Sequence, residues 1–337
     1  MRVRPLTAFA LLAPLLLPAG STAAAQGLTR ETKFQVVEAA AKVLREGYVY
    51  PEVGELTAIR LSATLAAGGY DTIEDPVAFA SRLSADMRDV AHDDHLNIFA
   101  QNGPGPGDEL GPEPPQKKGF VRVDRLPGNV GYIKVVGFPN ADGIKPMADA
   151  AMRMVARTKA VIIDVRQNFG GNPTGVAYLV SFFLGGRKQV HLNDVVWRDS
   201  GTNTTHTDST WTSATPTHYL GRPVYVLTGR QTFSAGEEFA YDLQALNRAT
   251  LVGEVTRGGA NPGTLAPLAS GFDIFIPTGR AENPITKTNW EGRGVRPDVR
   301  VPAGAALKVA LRRLGVAART DDVSQLSIAK LFEAQAK

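Results

Sequence analysis

Ser234 lies in Thr232-Phe233-Ser234-Ala235-Gly236-Glu237-Glu238-Phe239, shortly after the apolar run Pro223-Val224-Tyr225-Val226-Leu227-Thr228. A strand that ends in a short turn and hands over to a helix puts this serine at the helix N-terminus. There the helix dipole favours a developing alkoxide, and the free Ala235 N–H could face a carbonyl under attack. The same residues have a plainer reading. Serine is a favoured N-cap, and Glu237 three positions on completes the S-x-x-E capping box. Spacing alone leaves both readings open and leans to the cap.

A second stretch runs a buried-type strand, Ala160-Val161-Ile162-Ile163-Asp164-Val165, through Arg166-Gln167-Asn168-Phe169 into the pair Gly170-Gly171, just ahead of a helical pattern near Thr174. Backbone N–H groups freed at such a turn can hold an anion or an oxyanion. A tight turn that merely needs glycine explains the residues as well. Neither G-x-G-x-x-G nor G-x-x-x-x-G-K-[ST] occurs, so the nucleotide-binding fingerprints are absent. The third stretch is Trp290-Glu291-Gly292-Arg293-Gly294-Val295-Arg296-Pro297-Asp298. Its Glu291 carboxylate could orient a histidine, although turns of this composition are more often solvated.

A serine nucleophile needs a base, and the chain holds five histidines. His191, His206 and His218 fall in or beside a segment rich in Ser and Thr over 192–217. His92 and His95 sit in Ala91-His92-Asp93-Asp94-His95-Leu96-Asn97-Ile98. Spacing does not say which of them meets Ser234. The absence of cysteine excludes a thiol nucleophile, disulfides, zinc-thiolate sites and a lipid-anchored N-terminus. No cofactor and no metal are expected.

These residues have to be positioned by the elements around them. Residues 26–100 read as a small all-helical domain, with Phe34, Val37, Ala40, Ala41 and Leu44 at helical spacing, a second helix from Pro51 to Gly68-Gly69, and a third opened by Asp75-Pro76. The run over 101–118, dense in Gly, Pro and acidic residues, reads as a linker. From 119 to 337 strands (130–136, 160–165, 223–227, 250–255, 272–277) intersperse with helices (143–156, 174–183, 235–246, 303–314). That pattern argues for an α/β domain with a mostly parallel sheet. The 192–217 segment, with Trp197 and Trp211, reads as a hairpin or flap.

Of the 337 residues, 43% are hydrophobic and 21% charged, which excludes disorder, collagen and coiled coil. Arg2 and Arg4, the apolar Leu6–Pro18 and the small residues Ser21 to Ala25 predict a secretory signal over 1–25. The apolar stretch falls short of the ~20 residues that span a bilayer. Removing it lowers the formal charge from +4 to +2. No Lys/Arg stripe remains to neutralise phosphates, so no nucleic-acid partner is expected. A periplasmic or secreted protein with no membrane span after cleavage is expected instead.

Taken in order, Tyr48-Val49-Tyr50-Pro51-Glu52, Asp93-Asp94-His95-Leu96, Ile163-Asp164-Val165-Arg166 with Asn168 and Gly170-Gly171, Thr232-Phe233-Ser234-Ala235-Gly236-Glu237, Arg248-Ala249-Thr250-Leu251-Val252-Gly253-Glu254-Val255-Thr256 with Gly258-Gly259, and Asn289-Trp290-Glu291-Gly292 with Gly294-Val295 and Pro297-Asp298 resemble the tail-specific (C-terminal processing) serine peptidases. The likeness is strongest to the branch named for the interphotoreceptor retinoid-binding protein, which is similar to the tricorn core. The resemblance implies a ClpP/crotonase-like core and an unstructured polypeptide substrate. It implies Ser234 as nucleophile, His95 as general base and Glu291 holding the polar network of the site. Gly170 and the Ala235 N–H match the oxyanion hole, with Gly171 the lesser donor. The lysine of the processing branch corresponds to Gly259, so no serine–lysine dyad is implied, and Asn261 stands where many relatives carry histidine. Only 35 residues separate His95 from Gly131, too few for the PDZ domain that captures substrate tails by strand addition. The namesake carries retinoids, so a non-catalytic ligand-binding protein on the same fold is the alternative.

Overall fold

The computed structural model describes residues 28–101, 103, 119–185 and 188–317. The signal segment expected over 1–25 and nearly all of the linker expected over 101–118 lie outside these residues. Three helices open the described chain: α1 (Arg30–Gly47), α2 (Pro51–Ala66) and α3 (Pro76–Ala91). Each start follows from local chemistry. The Thr29 side chain accepts from the Thr32 N–H, Pro51 occupies the first turn of α2, and the Asp75 carboxylate accepts from the Ala78 N–H. On α1 the buried stripe is Val36, Val37, Ala40, Ala41 and Leu44, while Phe34 is 51% exposed. Val36, one helical turn before Ala40, takes the inward position instead.

The helical segment ends in a strand that periodicity did not show, β1 (Asn97–Ala100). The next elements are β2 (Phe120–Leu126), β3 (Val130–Val135), α4 (Ala141–Val155), β4 (Ala160–Asp164), α5 (Pro173–Ser181), β5 (His191–Arg198), β6 (Thr205–Trp211), β7 (Val224–Thr228) and α6 (Ala235–Ala245). After these come β8 (Thr250–Gly253), β9 (Gly263–Pro267), β10 (Phe272–Pro277), β11 (Gly279–Glu282), β12 (Val299–Arg300) and α7 (Ala303–Arg313). The main sheet has the order β12-β8-β7-β4-β3-β2, parallel throughout except for the antiparallel β2.

Both faces of this sheet are covered, which is why its central strands read as unbroken apolar runs. Val161, Ile163, Val224 and Val226 face α4, α5 and α6, whereas Ala160, Ile162, Tyr225 and Leu227 face α7. The 192–217 segment is a hairpin, β5 against β6, as its composition suggested. Its β5 also pairs with β11, so one side of the flap is tied into the core.

β1 forms a third sheet with β10 and β9, antiparallel, with Asn97 opposite Phe275 and Ala100 opposite Phe272. Ile98, Phe272, Ile274 and Ile276 of this sheet share one apolar cluster with Leu44, Leu61, Phe79 and Leu83 of the helices. The helical segment is therefore held on a strand that lies nearly two hundred positions away in sequence. Further ties are Val49 N–H to Pro277 O, and the Arg198 guanidinium to the Tyr48 and Arg45 carbonyls.

Behind the Ser234 turn, α6 buries Glu238 and Asp242 one turn apart, against Asn193 and Asn283. Burial pushes the Glu238 carboxyl up to about 7, and burial followed by the Glu238 charge raises Asp242. A carboxyl whose folded pKa lies above its unfolded value stabilises fully below the unfolded value, and this contribution is lost as pH rises through the folded one. Stability should therefore fall as pH rises from about 4.5 through about 7. Glu238→Gln is expected to recover on the order of 2–3 kcal/mol at pH 8 and little at pH 4.5, as read by denaturant unfolding at the two pH values.

Candidate active site

Ser234 does follow a strand and precede α6, but its backbone is not that of an ordinary cap. The N-cap residues Thr29, Asp75 and Asn172 are extended, with φ between −95° and −74°. Ser234 has φ +53° and ψ −124°, a conformation that residues with a Cβ rarely adopt and that marks strained turns at functional sites. The Ser234 N–H donates to Glu237 Oε2 at 2.9 Å, the reciprocal arm of the expected capping box. The turn is a sharp strand-to-helix corner that holds a side chain outward, as nucleophile elbows do. The turn thus combines a cap hydrogen bond with a backbone that a cap does not need.

Glu237 does more than cap. Its carboxylate also accepts from the Thr256 hydroxyl and from the Gly258 and Gly259 N–H groups. One buried side chain thereby fixes the Ser234 turn to the 256–259 segment. Burial pushes this carboxyl up to about 7, against the pull of its four donors.

The glycine pair meets this turn directly. Gly170 has φ +107°, and a Cβ built there would lie 2.8 Å from Ser234 Cβ and 3.2 Å from its Oγ. Asn168, fully buried, joins the two turns. Its Oδ1 accepts the Gly170 N–H at 2.9 Å, its carbonyl accepts the Phe233 N–H at 2.9 Å, and its Nδ2 donates to the Val135 carbonyl at 3.1 Å. The Gly170 N–H is engaged by Asn168, whereas the Gly171 and Ala235 N–H groups have no hydrogen bond among the described residues. At Gly170 the space that a Cβ would fill is taken by Ser234, and at Gly171 the N–H is left free among the described residues. Gly170→Ala, which must strain φ and crowd Ser234, is expected to lower kcat at least about 10²-fold, since misplacement by about 1 Å costs that much. Steady-state kinetics beside a circular dichroism spectrum of the folded variant checks this.

His95 is the histidine brought to this corner. It stands between α3 and β1, and its ring packs on Phe233 at 4.4 Å and Phe275 at 5.9 Å between centroids. A Cβ at Gly259 would come within 2.7 Å of His95 Cε1 and 2.3 Å of Phe233 Cε2. His95 and Phe233 therefore fill the space that a longer side chain at 259 would need. Burial, then the Arg257 charge, lowers the His95 pKa to about 4, with Asp94 opposing. The imidazole is neutral over the physiological range, the state a general base requires. His191 and His206 pair with Asp194 and Asp199 in the β5–β6 hairpin, and His218 lies by Thr215. His92 ends α3 in a left-handed conformation.

Glu291 does reach the site. Its Oε2 accepts the Ala260 N–H, and its Oε1 is buried with no hydrogen-bond partner among the described residues. Burial and the neighbouring Asp93 push its carboxyl up to about 8. Ligand atoms of Asp93, His95 and Glu291 lie within 4.8 Å of one another, so among the described residues these three could hold a cation. Residue types alone gave Asp93 no role. The available signal was its place two residues before His95, where its carboxylate accepts the His95 N–H at 2.9 Å. Arg257 likewise carried no signal in the sequence. It pairs with Asp94 at 2.8 Å and lies over the Phe233 ring at 4.7 Å, bridging the histidine turn to the serine turn.

Among the described residues no helix is long and apolar enough to cross a membrane. The solved structures similar in shape include three that match nearly end to end. A protein from Parabacteroides merdae named as a candidate peptidase shares 17% identity over 88% of this chain and 100% of its own, with a TM-score of 0.60. A lipoprotein from Streptococcus agalactiae shares 16% over 90% and 99%, with a TM-score of 0.57. The photosystem II D1 C-terminal processing protease shares 16% over 86% and 98%, with a TM-score of 0.52. At these identities the likeness establishes the fold. The sequence itself matches the model of peptidase family S41 over residues 129–301, just over half the chain, and that of the N-terminal domain of the S41 peptidase in eukaryotic IRBP over 23–120. With the strained serine, the glycine turn and the buried histidine on these two matched stretches, the chain belongs to peptidase family S41 and is a serine peptidase.

Proposed function

We infer that this protein is an endopeptidase of the periplasm or extracellular space that cleaves unstructured polypeptide through an acyl-enzyme on Ser234. His95 takes the Ser234 proton as the hydroxyl attacks and returns it to the leaving amine. Glu291 closes the polar network behind the histidine. The free N–H groups of Gly171 and Ala235 receive the oxyanion, with Gly170 leaving room for it. The observation that carries this reading is the backbone of Ser234: φ +53° at the start of α6, against Gly170. A helix cap has no need of that strain. An extracytoplasmic location is supported by the sequence of residues 1–25 and agrees with the lipoprotein among the structural neighbours.

The test is covalent trapping. Purified protein treated with a fluorophosphonate should gain one adduct by intact mass, mapped by peptide sequencing to Ser234, and should lose casein hydrolysis in step. An adduct elsewhere, or hydrolysis that survives complete labelling, overturns the assignment.

A further inference from the structure

Three buried polar atoms around His95 lack a hydrogen-bond partner among the described residues: His95 Nδ1, Glu291 Oε1 and Asn261 Oδ1. Such an atom is costly, because it has given up water and received nothing in exchange. Only two other side-chain atoms of this kind occur among the described residues, Asn193 Oδ1 and Asp242 Oδ2, so this corner concentrates them. Asp93 joins the three residues. Its Oδ1 accepts the His95 N–H at 2.9 Å and lies 3.9 Å from His95 Nδ1, and its Oδ2 accepts Asn261 Nδ2 at 2.9 Å and the Tyr48 hydroxyl at 3.1 Å. Glu291 Oε2 accepts the Ala260 N–H. All of these hydrogen-bond donors are uncharged, so none of them offsets a carboxylate charge.

We propose that Asp93, His95 and Glu291 bind one zinc ion, with Asn261 beside them, and that zinc switches the peptidase off. Ligand atoms of the three lie within 4.8 Å of one another. Zinc takes histidine nitrogen and carboxylate oxygen at about 2.0–2.2 Å, so two atoms on one ion can stand up to about 4.2 Å apart. The 3.9 Å between His95 Nδ1 and Asp93 Oδ1 already fits that span. An imidazole in the set argues against magnesium and calcium, which take oxygen. A dication also offsets both carboxylates in this buried corner. The inhibitory step rests on Ser234 and His95 acting as nucleophile and base, whereas the site itself rests on geometry alone. Zinc occupies the lone pair of Nδ1, and a neutral imidazole then carries its one proton on Nε2. A ring so bound cannot accept the Ser234 proton. The ion thus disables the base from behind, without touching the serine.

Calorimetric titration of the full Ser234→Ala chain with zinc chloride tests the site without using activity. One zinc per chain is expected, and magnesium in its place should give no binding heat. Asp93→Asn and Glu291→Gln, added to that chain, each remove a charged ligand and keep its shape. Each should weaken zinc binding by at least about 10²-fold, since losing a group that merely hydrogen-bonds to a ligand costs about 10–100-fold. His191→Ala and His206→Ala, which break the His–Asp pairs of the β5–β6 hairpin, should bind zinc as their parent does. In the wild-type chain zinc should slow fluorophosphonate labelling of Ser234 with a midpoint equal to the calorimetric Kd, and EDTA should restore the rate. No binding at millimolar zinc overturns the proposal, in favour of a proton shared by Glu291 and His95. Binding that survives both carboxyl variants, or that is lost with His191 or His206, overturns it by placing the ion elsewhere. Bound zinc that leaves the labelling rate unchanged overturns the inhibition. If Asp93→Asn does not fold, Glu291→Gln decides alone. A wild-type chain that never labels removes the serine mechanism, and the calorimetry still decides the site.

Discussion

Ser234→Ala is expected to lower kcat for casein hydrolysis by on the order of 10⁵–10⁶-fold and to abolish fluorophosphonate labelling. Members of a nucleophile–base–orienter set act as a unit, so removing the nucleophile forfeits nearly the whole contribution of the set. What remains is the oxyanion hole and substrate binding. The fold should be indifferent to the change. The backbone N–H of Ser234 donates to Glu237 and its carbonyl accepts from the Glu237 and Glu238 N–H groups, none of which needs the hydroxyl. Turnover should therefore collapse while the unfolding midpoint stays close to that of wild type. Hydrolysis at the wild-type rate by Ser234→Ala would sink the assignment of the nucleophile.

His95→Ala should cost at least about 10³-fold in kcat/KM, with labelling of Ser234 slowed in proportion. The pH profile carries a second, independent signature. Burial holds the His95 pKa down near 4, so wild-type activity should persist well below pH 6.5 and fall only as the imidazole is protonated near pH 4. With His95 absent that limb should vanish, and the residual rate should climb with hydroxide concentration. The ring also stacks on Phe233 and Phe275. His95→Gln, which keeps more of the contact, separates loss of the base from loss of packing: both variants should be equally slow, and the glutamine variant the more stable. Full activity in either would require another base.

The parts of the fold that could be read in the sequence are those whose residues face one environment. β4 and β7 are buried on both faces and so appear as continuous apolar runs, and α3 to α6 open on Asp-Pro, Asn-containing or Ser-x-x-Glu starts. β9 and β11 are short, and their partners lie on another sheet strand or on a hairpin. No local period marks them. β10 was legible as a strand but not as the partner of β1, because pairing across some 170 positions leaves no local trace. At the site, residue types pointed to Ser234, His95 and Glu291, and the structure brings the latter two to a common corner with Asp93. Spacing could not reveal the positive φ of Ser234, since a cap and a nucleophile turn share the same four residues. Nor could it reveal which glycine N–H is free, which depends on Asn168 turning its amide oxygen onto Gly170.

The seat of His95 on β1 and β10 also sets an order in time. A growing chain contains His95 early and Ser234 later, yet β10 (Phe272–Pro277) and Glu291 come later still. Until β10 exists, β1 has no strand to pair with, and the histidine turn is tied to the serine turn only by the Arg257–Asp94 pair and the His95–Phe233 contact. On the proposed roles, a partly synthesised chain carries Ser234 before the seat of its base is complete. On the roles proposed above, the seat of His95 is therefore completed only after Ser234 has been made, when β10 and Glu291 follow it in the chain.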